Sequence, residues 1–233
     1  MKSFYIKIFL VVTLVLTLLV SCKKDYYQDG GVNDGVYNGT VLQYLQSRPD
    51  LFDSLVKVIK YAGMEQVFSS EQITFFAPAD SSIRRTMEFV NISLPAYGKP
   101  AITRIEDIKP VIWKKYLSKY IFREARSLKE YPQLDVSNLS AFAGQMYTSF
   151  EGIPMNIGVI FNDANGVKYA GYRQLVVSHV SSATPRDYTT WFSAIVASAN
   201  INPKNGYVHA LRFGTHYFGF NQLEVLEDLI YNN

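Results

Sequence analysis

The hydrophobic and polar positions divide the chain into a helical first part and a strand-rich second part. Val41, Leu42 and Leu45 recur at helical spacing behind Thr40. Leu51, Phe52, Leu55, Val56 and Ile59 repeat that spacing after the Pro49-Asp50 break, which predicts two amphipathic helices. Gly63 suits the position just past the second. Ile73-Thr74-Phe75-Phe76 is short, apolar and aromatic, as a strand covered on both faces should be. Pro78 cannot donate to a ladder and ends it. Asp80 is then expected to cap a helix running through Ile83 and Met87. Beyond a loop with Gly98 and Pro100, Pro110 fits the first turn of a further helix. There Ile112, Trp113, Tyr116, Leu117 and Tyr120 form one aromatic face.

From Leu134 the pattern shifts to short segments separated by turn signals. Strands are predicted over 146–150, 155–161, 175–180, 195–199 and 207–211, with Asn165-Gly166 turning a hairpin into 167–170. Residues 181–190 read as a polar loop. The aromatic run 214–220 reads as a final strand closing the core, and 223–230 as a terminal helix or last strand. Helices first and strands after give an α+β class.

The N-terminus changes the picture. Lys2 and Lys7 flank the start of an apolar run over 8–20, shorter than the about 20 residues a membrane span needs. Leu19-Val20-Ser21-Cys22 resembles the lipobox of bacterial lipoproteins, whose cysteine is acylated and becomes the new N-terminus. Residues 1–21 are therefore expected to be a lipoprotein signal peptide. Residues 22–38, polar and glycine-rich, are expected to be a flexible tether, and 39–233 one domain with a C-terminal extension. Cys22 is the sole cysteine, so no internal disulfide forms. Position 23 is Lys rather than the Asp that retains many lipoproteins in the inner membrane, so the expected location is the outer membrane. Two of the three net positive charges come from the basic residues that leave with 1–21. The near-neutral remainder argues against a nucleic-acid partner.

Reaction chemistry is sparse. His179, His209 and His216 lack the grouping or spacing of a zinc site, so no metal and no cofactor are expected. His209 falls mid-strand, where a structural hydrogen bond is its natural role. Ser178 and His179 are strand neighbours, point to opposite faces and cannot pair with each other. Glu106-Asp107 and Glu227-Asp228 are adjacent carboxylates, read as solvated helix ends rather than a facing glycosidase pair. No catalytic residue is assigned. The aromatic face of 112–120 is read as core; if part of it meets a ligand, Tyr116 and Tyr120 are the candidates.

Thr74-Phe75-Phe76-Ala77-Pro78-Ala79-Asp80 resembles the first signature of the fasciclin-like domain family. Asn205-Gly206-Tyr207-Val208-His209-Ala210-Leu211 resembles the second. The likeness extends over about residues 39–213. Ala79 departs where the family prefers a hydroxyl. Ile121 stands after Tyr120 where animal members carry the histidine of an adhesion-linked Tyr-His pair, so integrin-type binding is not carried over. The resemblance implies an α+β wedge of about seven strands in two sheets with N-terminal and flanking helices. It also implies a non-catalytic role: an envelope adhesion or binding protein that meets a surface protein or polysaccharide and touches the membrane through its lipid. An accessory glycan-binding lipoprotein of a polysaccharide-uptake system and a structural envelope protein are the alternatives. The oligomeric state is not legible.

Overall fold

A computed structural model describes residues 35–180 and 187–233. Cys22 and most of the 22–38 segment lie outside the described residues, as does much of the 181–190 loop. The described residues open with three α-helices, α1 (Val41–Gln46), α2 (Pro49–Tyr61) and α3 (Glu65–Ser70). Thr40 and Gln43 form a capping box at the start of α1: the Thr40 Oγ1 accepts from Gln43 N–H and the Gln43 Oε1 from Thr40 N–H. Strand β1 (Ile73–Ala77), helix α4 (Asp80–Ser93) and helix α5 (Pro110–Ser118) follow. The strand-rich part comprises β2 (Ile121–Arg123), β3 (Gln145–Thr148), β4 (Pro154–Phe161), β5 (Arg173–His179), β6 (Phe192–Ile201) and β7 (Gly206–Leu211). Helix α6 (Gln222–Tyr231) ends the chain. Among the described residues no helix is long and apolar enough to cross a membrane.

The seven strands run in the order β2-β1-β7-β6-β5-β4-β3. This is the α+β, seven-strand architecture that the sequence resemblance implied. The two strand groups share β6, where register irregularities interrupt the β6–β7 pairing between Val196 and Ile201. Extra residues of this kind bend and twist a strand locally. The two edges approach each other where Phe150 N–H donates to Ile121 O at 2.8 Å.

The two signature segments are direct neighbours. β1 and β7 pair in parallel, Ile73 opposite Gly206 and Ala77 opposite Ala210. All five residues of β1 are buried, as its unbroken apolar pattern requires. Asn205, just before β7, ties this pair to the helices. Its Oδ1 accepts from Val41 N–H at 2.8 Å, and its Nδ2 donates to Glu71 O at 2.9 Å and Phe68 O at 3.3 Å. One side chain thus satisfies an orphan donor at the start of α1 and carbonyls at the end of α3. Gly206 is required by closeness as much as by its φ of 153°: a Cβ there would stand 1.8 Å from Ile73 O.

Several expectations are corrected. Asp80 does not cap its own helix. Its carboxylate accepts from Ser54 N–H and Leu55 N–H, both at 2.9 Å. Those donors lie just past Phe52, whose non-helical backbone (φ −133°, ψ 16°) breaks α2, so Asp80 caps the second segment of α2 from across the interface. Asn165 and Gly166 do turn with positive φ, but 167–170 form no strand. Instead Tyr169 takes a left-handed conformation and its N–H bonds the Asp163 carboxylate. The 214–220 run closes the core without becoming a strand: Phe218 and Phe220 are buried, and Phe218 N–H reaches Ser82 O. The terminal segment is helix α6, and β2 and α3 had no clear sequence signal. Residues 35–38, assigned to the tether, are already bonded to the fold through a Val36–Asn202 bridge.

Replacing Gly206 by Ala should destabilise the fold by more than about 3 kcal/mol, because the new methyl meets backbone rather than a movable side chain. Gly152, with φ 86° and open space around its Cβ position, provides the comparison. Its Ala variant should lose only ~1–2 kcal/mol of left-handed strain. Urea denaturation measures both, and equal losses would contradict the close-approach account.

Candidate functional site

Tyr116 and Tyr120 lie in the core, 1% and 0% exposed, and offer a ligand no surface. The helical spacing that made them an aromatic face also turned that face inward. Tyr116 Oη donates to Asp228 Oδ2 at 2.6 Å, and Lys115 Nζ meets the same oxygen at 2.6 Å. Asn232 Nδ2 donates to Asp228 Oδ1 at 2.8 Å. Burial alone would raise the Asp228 carboxyl, but these donors hold it below the usual carboxylate range. Burial, reinforced by Asp228, pushes the Tyr116 hydroxyl well up. Tyr120 Oη accepts from Gly219 N–H at 2.8 Å while its ring stacks on Phe220 at 4.7 Å. The two tyrosines therefore anchor α6 and the 214–220 run. Asp228, expected to be solvated, is instead the centre of this knot.

Lys119 was missed altogether. It is 1% exposed, donates to Glu224 Oε2 at 2.8 Å and Gly219 O at 3.1 Å, and lies 5.1 Å from the Tyr116 ring centroid. Burial lowers its pKa, opposed by Glu224. The available signal was its position: three residues after Tyr116, it falls on the apolar face of the helix pattern.

The histidines are dispersed. His209 Nδ1 accepts from Asn200 N–H at 3.2 Å and Nε2 lies 3.0 Å from Arg126 O, which assigns a neutral ring protonated at Nε2. His179 approaches Glu224 at 3.8 Å, whereas its neighbour Ser178 bonds Ser193 Oγ at 2.8 Å, so the two do face different ways. His216 is buried beside Tyr120 and Phe220 with neither nitrogen hydrogen-bonded. Burial lowers all three to about 4; Lys119 adds to this at His179 and Arg85 at His216. Asp107 is held well below the carboxylate range by the N–H groups of Thr103 and Arg104 and by the Arg104 side chain. No group of three or more His, Cys, Asp or Glu side chains among the described residues is placed to hold a metal ion.

A different place has unmet polar atoms. The turn before β3, the β3–β4 pair and the start of β6 enclose a cleft of about 640 Å³. It is lined by Leu139, Ser140, Ala143, Gly144, Gln145, Met146, Asn156 and Trp191. Strand register builds its floor: Met146 stands opposite Asn156, Asn156 opposite Ser178, and Ser178 opposite Ser193, one row across four strands. Asn156 is 3% exposed. Its Nδ2 donates to Ala143 O at 3.0 Å, which fixes the amide orientation, and its Oδ1 has no partner. Gly144, at φ 64°, packs against that oxygen without hydrogen-bonding it: a Cβ there would lie 2.7 Å from it. Trp191 stands 5.2 Å from Tyr188, ring to ring, and its Nε1–H is also unpartnered. A buried donor or acceptor without a partner costs about 1–3 kcal/mol, so two on residues that line one cleft call for an explanation.

No family model matches the chain, and no curated protein matches it. Among solved structures it is similar to a FAS1 domain pair from the insect cell adhesion molecule fasciclin I. The identity is 16% and the TM-score 0.46, over 75% of this chain and 50% of that one. The chain therefore spans half the length of that relative.

The histidines set an acid limit. An unfolded histidine keeps its ordinary pKa of 6.5 while the folded ones lie at about 4. The unfolded chain binds more protons in that window, so stability is complete above pH 6.5 and lost as pH falls towards 4. His209 and His216 should each contribute roughly 3 kcal/mol to that loss. His216→Phe removes two unpaired nitrogens from an aromatic nest. Thermal melts should show it at least as stable as the native chain at pH 7, with a shallower decline on acidification. An unchanged acid slope would contradict the assignment.

Proposed function

We propose that this chain is a fasciclin-like binding module of the cell envelope, held to the outer membrane by lipid on Cys22. It recognises a surface protein or polysaccharide without transforming it. The observation that supports recognition is the cleft at Asn156 and Trp191, where a donor and an acceptor are left unpaired in a concavity sized for a small ligand. Its volume falls within the about 300–1,000 Å³ typical of such sites. The buried ionisable groups Lys119, Asp228 and His209, by contrast, are engaged in bonds that hold α6 and β7 in place. Within this reading a polysaccharide is favoured over a protein partner, because the described residues lining the cleft carry no charged side chain and the surface is concave rather than flat.

Cys22→Ala should move the protein from the membrane pellet to the soluble fraction. A variant that stays with the membrane contradicts the anchor. The full chain, purified in detergent and run through gels cast with individual envelope polysaccharides, should be retarded by at least one of them. Migration unaffected by every polysaccharide and by purified surface proteins would overturn the binding function.

A further inference from the structure

We propose that the cleft between the β3–β4 pair and Trp191 is a subsite for a neutral sugar ring, with Trp191 and Asn156 as its recognition residues. This rests on the binding function above and names its ligand chemistry. The two unpaired atoms are of opposite kind: Trp191 Nε1–H can only donate and Asn156 Oδ1 can only accept. A ring hydroxyl is both donor and acceptor, so a sugar carries the groups to serve both. A purely donating or purely accepting ligand satisfies one and leaves the other buried. Asn156 cannot turn to serve itself, because its Nδ2 is held by Ala143 O at 3.0 Å.

The walls complete the match. Leu139, Ala143 and the indole of Trp191 supply apolar surface for the C–H face of a pyranose, the use to which amphipathic aromatic side chains are suited. Among the described residues no Lys, Arg, Asp or Glu lines the cleft. A uronate, sulfated or phosphorylated sugar would bury its charge there without a counter-ion, which is unfavourable. Both unpaired atoms are screened from bulk solvent, so a ligand reaches them only as the lining gives way. Met146 is the lining side chain suited to this at the Asn156 amide: it is 45% exposed, its sulfur rests 3.8 Å from Asn156 Nδ2, and its unbranched side chain repacks at little cost. Gly144 completes the access, since any side chain there would crowd the Asn156 oxygen.

The test is calorimetric titration of the full chain in detergent with short oligomers of glucose, galactose, mannose and N-acetylglucosamine. Oligogalacturonate is the charged comparison. At least one neutral oligomer should bind saturably, and oligogalacturonate at least tenfold more weakly. Trp191→Phe keeps an aromatic face and removes the N–H together with the rest of the indole's second ring. It should weaken binding about tenfold, the loss expected when one buried hydrogen bond goes unmade. Asn156→Leu should do the same, and thermal melts establish that each variant is folded; if the Leu variant does not fold, Trp191→Phe decides alone. Equal binding of the charged oligomer, or neutral binding unchanged by the substitutions, overturns the assignment. Polysaccharide retention by the native chain that the variants leave intact would remove this subsite and leave the binding function standing. Loss of retention on every probe would remove both.

Discussion

The structure depends on the parallel pairing of β1 with β7. Parallel neighbours cannot be joined by a tight turn, and here the intervening chain supplies most of the domain. Closing so long a loop costs entropy that local contacts do not repay. Repayment comes from burial and from Asn205, which bonds carbonyls 134 and 137 residues away and the Val41 N–H 164 residues away. Phe75 and Phe76 then fill the space on the two sides of β1: Phe75 meets Phe68 edge-on at 4.8 Å, and Phe76 meets Phe122 at 5.6 Å and His209 at 5.2 Å. His209 can sit there because it is neutral and bonded at both nitrogens. The two signature segments are thus one structural unit split by sequence.

A second set of bonds fastens the C-terminal part to this unit. Tyr116, Lys119 and Tyr120 leave α5 and the two residues after it towards the core, and each finds its partner in 219–228. Removing Glu224 would strand the buried Lys119 charge, so this pair is constrained by stability rather than by recognition. The opposite end of the strand order is different. β3 is an edge strand, its residues are mostly exposed, and the turn before it leaves Asn156 and Trp191 incompletely paired. Rigidity is concentrated where the signatures meet, and adaptability where the cleft opens.

What the sequence revealed follows from this division. β1, β4 and β7 were legible because burial on both faces or on alternate residues writes itself into the chain, and the signatures were legible because Gly206 and Asn205 have few substitutes. The three-residue β2 was hidden because Tyr120 and Ile121 continue the apolar spacing of α5. Asp80 was read as a cap, correctly in chemistry and wrongly in partner, since the donors it serves lie 25 and 26 residues earlier. Tyr116 and Tyr120 were legible as core by period, and their hydroxyl partners were not, because those come from α6 and from Gly219 at the far end of the chain. Asn156 carried a signal too. It interrupts the apolar run between Met155 and Ile157, which places it on the other face of β4. That its oxygen stays unpaired depends on Gly144 and Trp191 arriving from elsewhere, which no local pattern encodes.

Native-state hydrogen exchange across the ladder tests this division most directly. The amides of β1 and β7 should exchange only through global unfolding, while those of β3 and of the turn over 139–144 exchange through smaller openings of lower free energy. Amides of β1 or β7 exchanging as fast as those of β3 would contradict a fold built on the β1–β7 pair with an adaptable cleft at its edge.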